Sequence, residues 1–529
     1  MPTDCISYQN SGYFSDLMID YLNEKDALRP LYHRFPKLEN FKDQLLEKQD
    51  NFSIENRSIL ATALEKQYAN FEVSEATLKN IQLLKNTTTF TITTGHQLNL
   101  FTGPLYFLYK IISTINLCKE LQKKYPENNF VPIYWMATED HDFEEINYFN
   151  LNGKKIQWKK ESFGPVGRLD TKGLETVFEE FSKAIGISEN ANYLKKVFQK
   201  AYLEHSNLAD ATRYLANELF KEEGLVILDG DDKNLKQLFV PYAKEELLHQ
   251  TSSTEVLQTN EALRDYKIQV NPREINLFYI EDHLRERIVF EYGQYRVLNT
   301  KMIFSEREIR TELENHPEKF SPNVILRPLY QEVILPNLCY IGGGGELAYW
   351  LQLQSNFKAN KVPFPILLLR NSVLLATEKQ AQKAAKLGLN WSDLFQKQNI
   401  LLTNKTRQLS QFTIDFSEQK EHLKQQFIGL KEMAKQTDKS FIGAVEAQEK
   451  KQLKGLDNLE KRLLKAEKRV LADQLERITL LQNELFPGQS LQERKVNFAF
   501  FYEAFGPKLI ETLLEELQPL EQEFTVVVL

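Results

Sequence analysis

Residues 94–106, Thr-Gly-His-Gln-Leu-Asn-Leu-Phe-Thr-Gly-Pro-Leu-Tyr, constrain the fold of this chain more than any other stretch. Before them lies Thr88-Thr-Phe-Thr-Ile-Thr93, rich in β-branched residues and strand-like. After them, Leu105, Leu108, Ile111, Ile112 and Ile115 recur at helical spacing. The helix leads to a second apolar run, Phe130-Val-Pro-Ile-Tyr-Trp-Met136. Strand, crossover helix and strand make a right-handed parallel βαβ unit. Ligands of such sheets bind beyond the carboxyl ends of the strands, and helix N-termini attract anions. The loop therefore nominates Gly95, His96, Gln97, Asn99, Thr102, Gly103 and Pro104 as contacts for a nucleotide or a carboxylate.

Two further clusters follow apolar runs in the same way. Thr138-Glu-Asp-His-Asp-Phe-Glu-Glu145 comes after the second strand. Carboxylates and an imidazole crowded at a sheet edge are costly to assemble without a use. Glu139, Asp140, His141 and Asp142 are thus candidates for acid–base work or for holding an ammonium group, and a solvated helix cap is the plain alternative. His141 and Glu145 lie four residues apart, but no H-E-x-x-H pattern is present, and no metal is expected. Far along the chain, Asn337-Leu-Cys-Tyr-Ile341 reads as a buried strand. It is followed by Gly342, Gly343, Gly344, Gly345 and Glu346, and then by a helix carrying Tyr349. Four glycines let the backbone approach a ligand and present its N–H groups. Their spacing is not G-x-G-x-x-G, so no dinucleotide is inferred. Arg370 closes the last apolar run, Phe364 to Leu369, and suits a carboxylate, a phosphate or an ordinary ion pair.

Composition narrows the function classes. The chain has 529 residues, a net charge of −7 and 42% hydrophobic residues. A sizeable core is possible, and no global basic field draws nucleic acid. The polar start has no apolar signal core, and no apolar run approaches membrane-spanning length. Cys5, Cys118 and Cys339 are widely separated, without a C-x-x-C pair. That fits a reducing, cytoplasmic setting without structural zinc or disulfides.

The rest of the chain falls into segments. Asn152-Gly153 between two short apolar runs signals a hairpin with a type I′ turn. Short strands are expected near 276–280, 287–290 and 295–298, with the core resuming near Ser321. No proline occurs from Ile366 to Phe486. Within that span Leu423, Phe427, Leu430, Ala434, Thr437 and Phe441, then Leu456, Leu459, Leu463, Ala466 and Val470, and later Ile478, Leu481 and Leu485, alternate spacings of three and four, a heptad-like seam. A single helix over 417–485 would span about 100 Å. Such a seam needs a partner, either a shorter helix of the same chain, for which Val373 to Leu387 is the candidate, or a second subunit. Both are expected, giving a homodimer. The chain is expected to divide at 1–145, 146–320, 321–371, 372–486 and 487–529: N-terminal helices with the first half of the core, inserted segments, the second half, a coiled-coil arm, and an aromatic segment docking on the core.

Taken together, TGHQLNLFTGPLYF, VPIYWMAT with EDHDFEE, IGGGGELAYWLQL and LFPGQSLQERKVNF resemble the cysteine-adding enzymes of bacillithiol biosynthesis, the BshC family. The resemblance runs in order from about Gly95 to the C-terminus. It implies an α/β fold with a Rossmann-like parallel-sheet core resembling class I aminoacyl-tRNA synthetases, inserted connecting segments and a coiled-coil arm. It also implies a ligase that joins cysteine, through its carboxyl group, to the amine of glucosaminyl-malate. The His-x-Gly-His and Lys-Met-Ser-Lys-Ser motifs of those synthetases are not matched, so ATP or another adenine nucleotide is suggested by the fold alone. Two other readings stay open: a synthetase-like enzyme coupling another amino acid or amino-sugar, and a coiled-coil scaffold around a relic core.

Overall fold

The computed structural model describes residues 4–529. They divide into two compact units, one of residues 4–374 with 492–527 and 529, the other of residues 375–491 with 528.

The larger unit is built on a five-stranded parallel sheet. Its strands are Thr89–His96 (β1), Asn129–Met136 (β2), Val226–Asp229 (β3), Asn337–Gly342 (β4) and Ile366–Leu369 (β5). The spatial order is 3-2-1-4-5, every neighbouring pair parallel. All eight residues of β1 are buried, as expected of a strand covered on both faces. The helix Tyr106–Lys124 (α1) carries the chain from β1 to β2 and is buried along most of its length. In this order the chain reverses direction between β1 and β4, so the switch-point crevice opens between His96 and Gly342.

Insertions decorate the strand connections. The hairpin Tyr148–Leu151 and Lys154–Gln157 closes at Asn152 and Gly153, with φ of 50° and 74°, the two positive values a type I′ turn requires. After β3 come the helix Lys233–His249 (α2) and a five-stranded antiparallel sheet. Its outer strand Phe320–Pro322 sets Ser321 opposite Phe278. Ser321 therefore belongs to this inserted sheet, not to the resumed core as its position in the sequence suggested. The parallel sheet restarts only after the helix Arg327–Ile334 (α3), with β4. A seven-residue helix, Gly344–Trp350 (α4), then leaves the glycine turn.

The smaller unit corrects the picture of one long arm helix. Ser417–Ala434 (α5) and Lys439–Val470 (α6) form an antiparallel hairpin. Phe427, Ala434 and Val445 are buried between them, with Leu423 and Ile442 packed alongside. Lys420 pairs with Asp457 at 2.6 Å and Lys431 with Glu449 at 2.5 Å across the seam. Asp438 breaks the run by accepting a hydrogen bond from Ser440 N and so starts α6 afresh. The same-chain partner of the Lys439–Val470 part of the seam is thus α5. In the stretch from Val373 to Leu387, Ser372–Ala376 is a strand, and the helix Glu378–Lys386 packs, as expected, on the last part of the seam, Ala472–Leu485 (α7), where Ile478, Leu481 and Leu485 are buried.

Candidate active site

The loop after β1 is held in a strained conformation. Phe101, Thr102 and Gly103 have φ of 48°, 67° and 63°. A β-branched residue at positive φ is a real outlier and persists only where its surroundings over-determine it. Here Tyr202 OH accepts a hydrogen bond from Phe101 N at 2.8 Å. Asn497 Nδ2 donates to Phe101 O and Gly103 O at 2.7 and 2.6 Å. The Phe101 ring sits among Phe149, Phe181, Phe198 and Phe498. The C-terminal segment therefore docks on this loop.

His96, the last residue of β1, is buried edge-on to Tyr106 and against Phe107. Burial, reinforced by nearby Lys110, pulls its imidazole well below its ordinary pKa, so the ring is neutral. Its Nε2 is buried without a hydrogen-bond partner.

Across the switch point, Gly343 caps α4, and Glu346 turns back onto it. Glu346 Oε1 accepts from Gly343 N at 3.0 Å, and Tyr340 OH donates to Oε2 at 2.7 Å. Burial alone would raise this carboxyl; Lys110, 2.6 Å away, and the two hydrogen bonds hold it below its ordinary value. Gly342 lies within β4, where an added Cβ would sit 2.9 Å from the Tyr340 ring.

These two turns border one crevice of about 1040 Å³. Gly95, His96, Gln97, Gly343, Gly344, Gly345, Glu346, Tyr349 and Arg370 all line it, as do Glu139 and Asp140. Gly103 and Pro104 border a neighbouring chamber, together with Asn99. Thr102 is buried in the loop and lines neither space, and Gly342 does not reach the crevice either.

The acidic cluster is divided by its partners. Glu139 is buried, and its Oε1 lies 2.6 Å from Lys236 Nζ, which also holds Asp231 at 3.0 Å. Asp140 accepts from Gln97 Nε2 at 3.0 Å. His141 is turned aside: its Nδ1 meets Arg285 Nη1 at 2.7 Å, and burial together with that guanidinium lowers its pKa. Asp142 is exposed and precedes the short helix Phe143–Ile146. Neither His141 nor Asp142 lines the crevice. Among the described residues no group of three or more His, Cys, Asp or Glu is placed to hold a metal ion.

Arg370 is committed to structure. It makes a two-pronged, buried pair with Glu493, at 2.7 and 3.1 Å, leaving only Nε unpaired. The larger surprise is Arg327, at the start of α3. It is half-buried, lies over the Trp135, Tyr340 and Trp350 rings, donates to Gln331 Oε1, interacts with the Tyr349 hydroxyl, and has no carboxylate within ion-pair distance. Its Nη2 has no partner. A buried charge without a counter-ion is expensive, and this one lines the crevice. Lys110, Arg273, Arg285, Arg287 and Arg494 line it too, so cations outnumber acids there, against the chain's net charge of −7. None of these cations stood out in the sequence. Only Lys110 carried a signal, as a charge inside an apolar helical face.

The comparisons agree with this architecture. The family model "Bacillithiol biosynthesis BshC, N-terminal Rossmann-like domain" matches residues 1–371, and "Bacillithiol biosynthesis BshC, C-terminal coiled-coil domain" matches 373–529. A Flavobacterium johnsoniae protein named "Putative cysteine ligase BshC" is 64% identical over the whole of both chains. A Flavobacterium psychrophilum protein of the same name is 62% identical over 100% of this chain and 99% of its own. Another, from Cytophaga hutchinsonii, is 39% identical over 97% and 96%. A solved Campylobacter jejuni structure titled as an arginyl-tRNA synthetase aligns with 88% of this chain and 98% of its own at 10% identity, but with a TM-score of 0.21, which bears on nothing. No helix of the described residues is long and apolar enough to cross a membrane. With both of its domains matched end to end, the chain belongs to the BshC family of bacillithiol biosynthesis.

Proposed function

We propose that this protein is a cysteine ligase that forms the amide bond between the cysteine carboxyl group and the amine of glucosaminyl-malate. The observation that carries the reading is the shared crevice, lined by the loop after β1, by the glycine turn after β4 and by a half-buried arginine without an ion-pair partner. Arg327 Nη2, Arg370 Nε and the N–H groups of the glycine turn form the anion-binding end, suited to the malyl carboxylates or to a phosphate. Glu139 and Asp140 line the same crevice and serve the amine in this reading. Amide formation needs a neutral amine and an activated carboxyl. Asp140 takes the amine proton, because Glu139 is already bound to Lys236.

The open crevice favours an enzyme over a scaffold around a relic core. The protein works in the cytoplasm as a homodimer joined through the arm. Met433, Phe441 and Val470 support that assembly, since the hairpin leaves them 60%, 52% and 77% exposed. Purified protein incubated with cysteine and glucosaminyl-malate, with and without ATP, should yield the thiol-bearing amide by mass spectrometry. Turnover of a different amino acid or amine in its place would replace this reading with that of a related synthetase-like enzyme. Sedimentation velocity should give twice the monomer mass.

A further inference from the structure

The crevice opens sideways into a smaller chamber of about 350 Å³. Gln97, Tyr106, Glu145 and Arg494 form the wall common to the two spaces. Behind that wall the chamber has a mixed lining, with Pro104 and Phe149 as an apolar patch beside the polar Asn150 and Lys495. Asn99 lines it as well. This residue is 8% exposed, its Nδ2 donates to Glu145 O at 3.2 Å, and its Oδ1 is buried with no hydrogen-bond partner. Buried acceptors are almost always satisfied, so a donor from a ligand is the expected complement. At the mouth, the Glu145 carboxylate is steadied by Gln97 Nε2 at 2.9 Å, and the Arg494 side chain is exposed. One carboxylate and one guanidinium on the same rim match the two charges of a zwitterion.

We propose that this chamber seats a small free L-amino acid. Its ammonium group meets Glu145, its carboxylate meets Arg494, and its side chain lodges against Pro104 and Phe149. The inference rests on the ligase reading above, on which the amino acid is cysteine and the main crevice takes the larger glycoside. The arrangement leaves the carboxyl group at the wall common to both spaces, where the second substrate can reach it. The thiol stays inside, away from bulk solvent.

The test is calorimetric titration of the full-length protein with L-cysteine, L-serine and L-alanine, with and without glucosaminyl-malate present. Glu145→Gln and Arg494→Gln are compared with the wild type. Both side chains are exposed, and unchanged thermal unfolding will show that the variants are folded. Each substitution should weaken amino-acid binding at least tenfold. Binding of L-serine or L-alanine that is lost in E145Q, without binding of cysteine, would uphold the chamber and overturn the cysteine reading. Wild-type affinity for the amino acid in both variants, or no binding of any of the three under either condition, would overturn the chamber.

Discussion

Lys110 Nζ lies 2.6 Å from Glu346 Oε1. The same ammonium donates to Gly95 O at 2.5 Å. One buried cation on α1 therefore ties the end of β1 to the first turn of α4, and it sets the width of the switch-point crevice.

Removing that tie should be costly. Lys110→Met strands the Glu346 carboxylate and the Gly95 carbonyl, and breaking a buried pair from one side costs about 3–5 kcal/mol. Chemical unfolding should register most of that loss. The double variant K110M/E346Q should recover part of it, because no charge is then left unpaired.

Arg327 should behave in the opposite way. It has no ionic partner in the fold, so Arg327→Met should leave the unfolding temperature unchanged or raised. If the guanidinium waits for an anionic substrate, KM for glucosaminyl-malate should rise about 10- to 100-fold, following roughly 1.5–3 kcal/mol for a charged hydrogen bond. Steady-state kinetics beside a melting curve separate the two effects.

Much of this arrangement was legible before any coordinates. The β-branched and apolar runs gave β1, β2, β4 and β5 of the core, because buried parallel strands are continuous in their hydrophobicity. Asn152-Gly153 gave its turn, because few other dipeptides accept two positive φ values. The glycine and His96 loops were found because their residue types are unusual in packed turns. What the sequence concealed is tertiary. Arg327 and Arg494 sit at positions where an arginine is ordinarily solvated, and only the folded chain turns them into the crevice. The arm shows a different failure. Its three-four spacing continues through Thr437 and Phe441, and that continuity hid the Asp438–Ser440 cap that folds it into a hairpin. Periodicity reports which face is apolar, not where the chain reverses.

A buried acid beneath the crevice gives a pH test. Burial, with Asp231 nearby, pushes the Asp229 carboxyl up to about 6. Its folded value lies above its unfolded one, so the native state holds the extra proton and loses stability as pH rises from about 4 through 6. Asp229→Asn can still accept from Thr138 and from Asp231 N. It should match the wild type near pH 4 and exceed it by roughly 2–3 kcal/mol at pH 8. Denaturant titrations at the two pH values check this; an equal gap at both would show that Asp229 does not titrate in that range.

His96 makes a second prediction about pH. Burial keeps its ring neutral, below the ordinary histidine range. Replacing it with Gln should lower kcat/KM at every pH between 5.5 and 8 by a similar factor, leaving the shape of the profile intact. A wild-type inflection near 6.5 that vanishes in H96Q would contradict the neutral assignment.

The central claim is that the loop after β1 and the glycine turn after β4 close on the same substrate. Hydrogen–deuterium exchange with saturating glucosaminyl-malate and cysteine addresses it directly. Peptides covering 95–104 and 342–349 should both become protected, with the same concentration dependence. Product formation with neither peptide protected would place the chemistry elsewhere in the molecule.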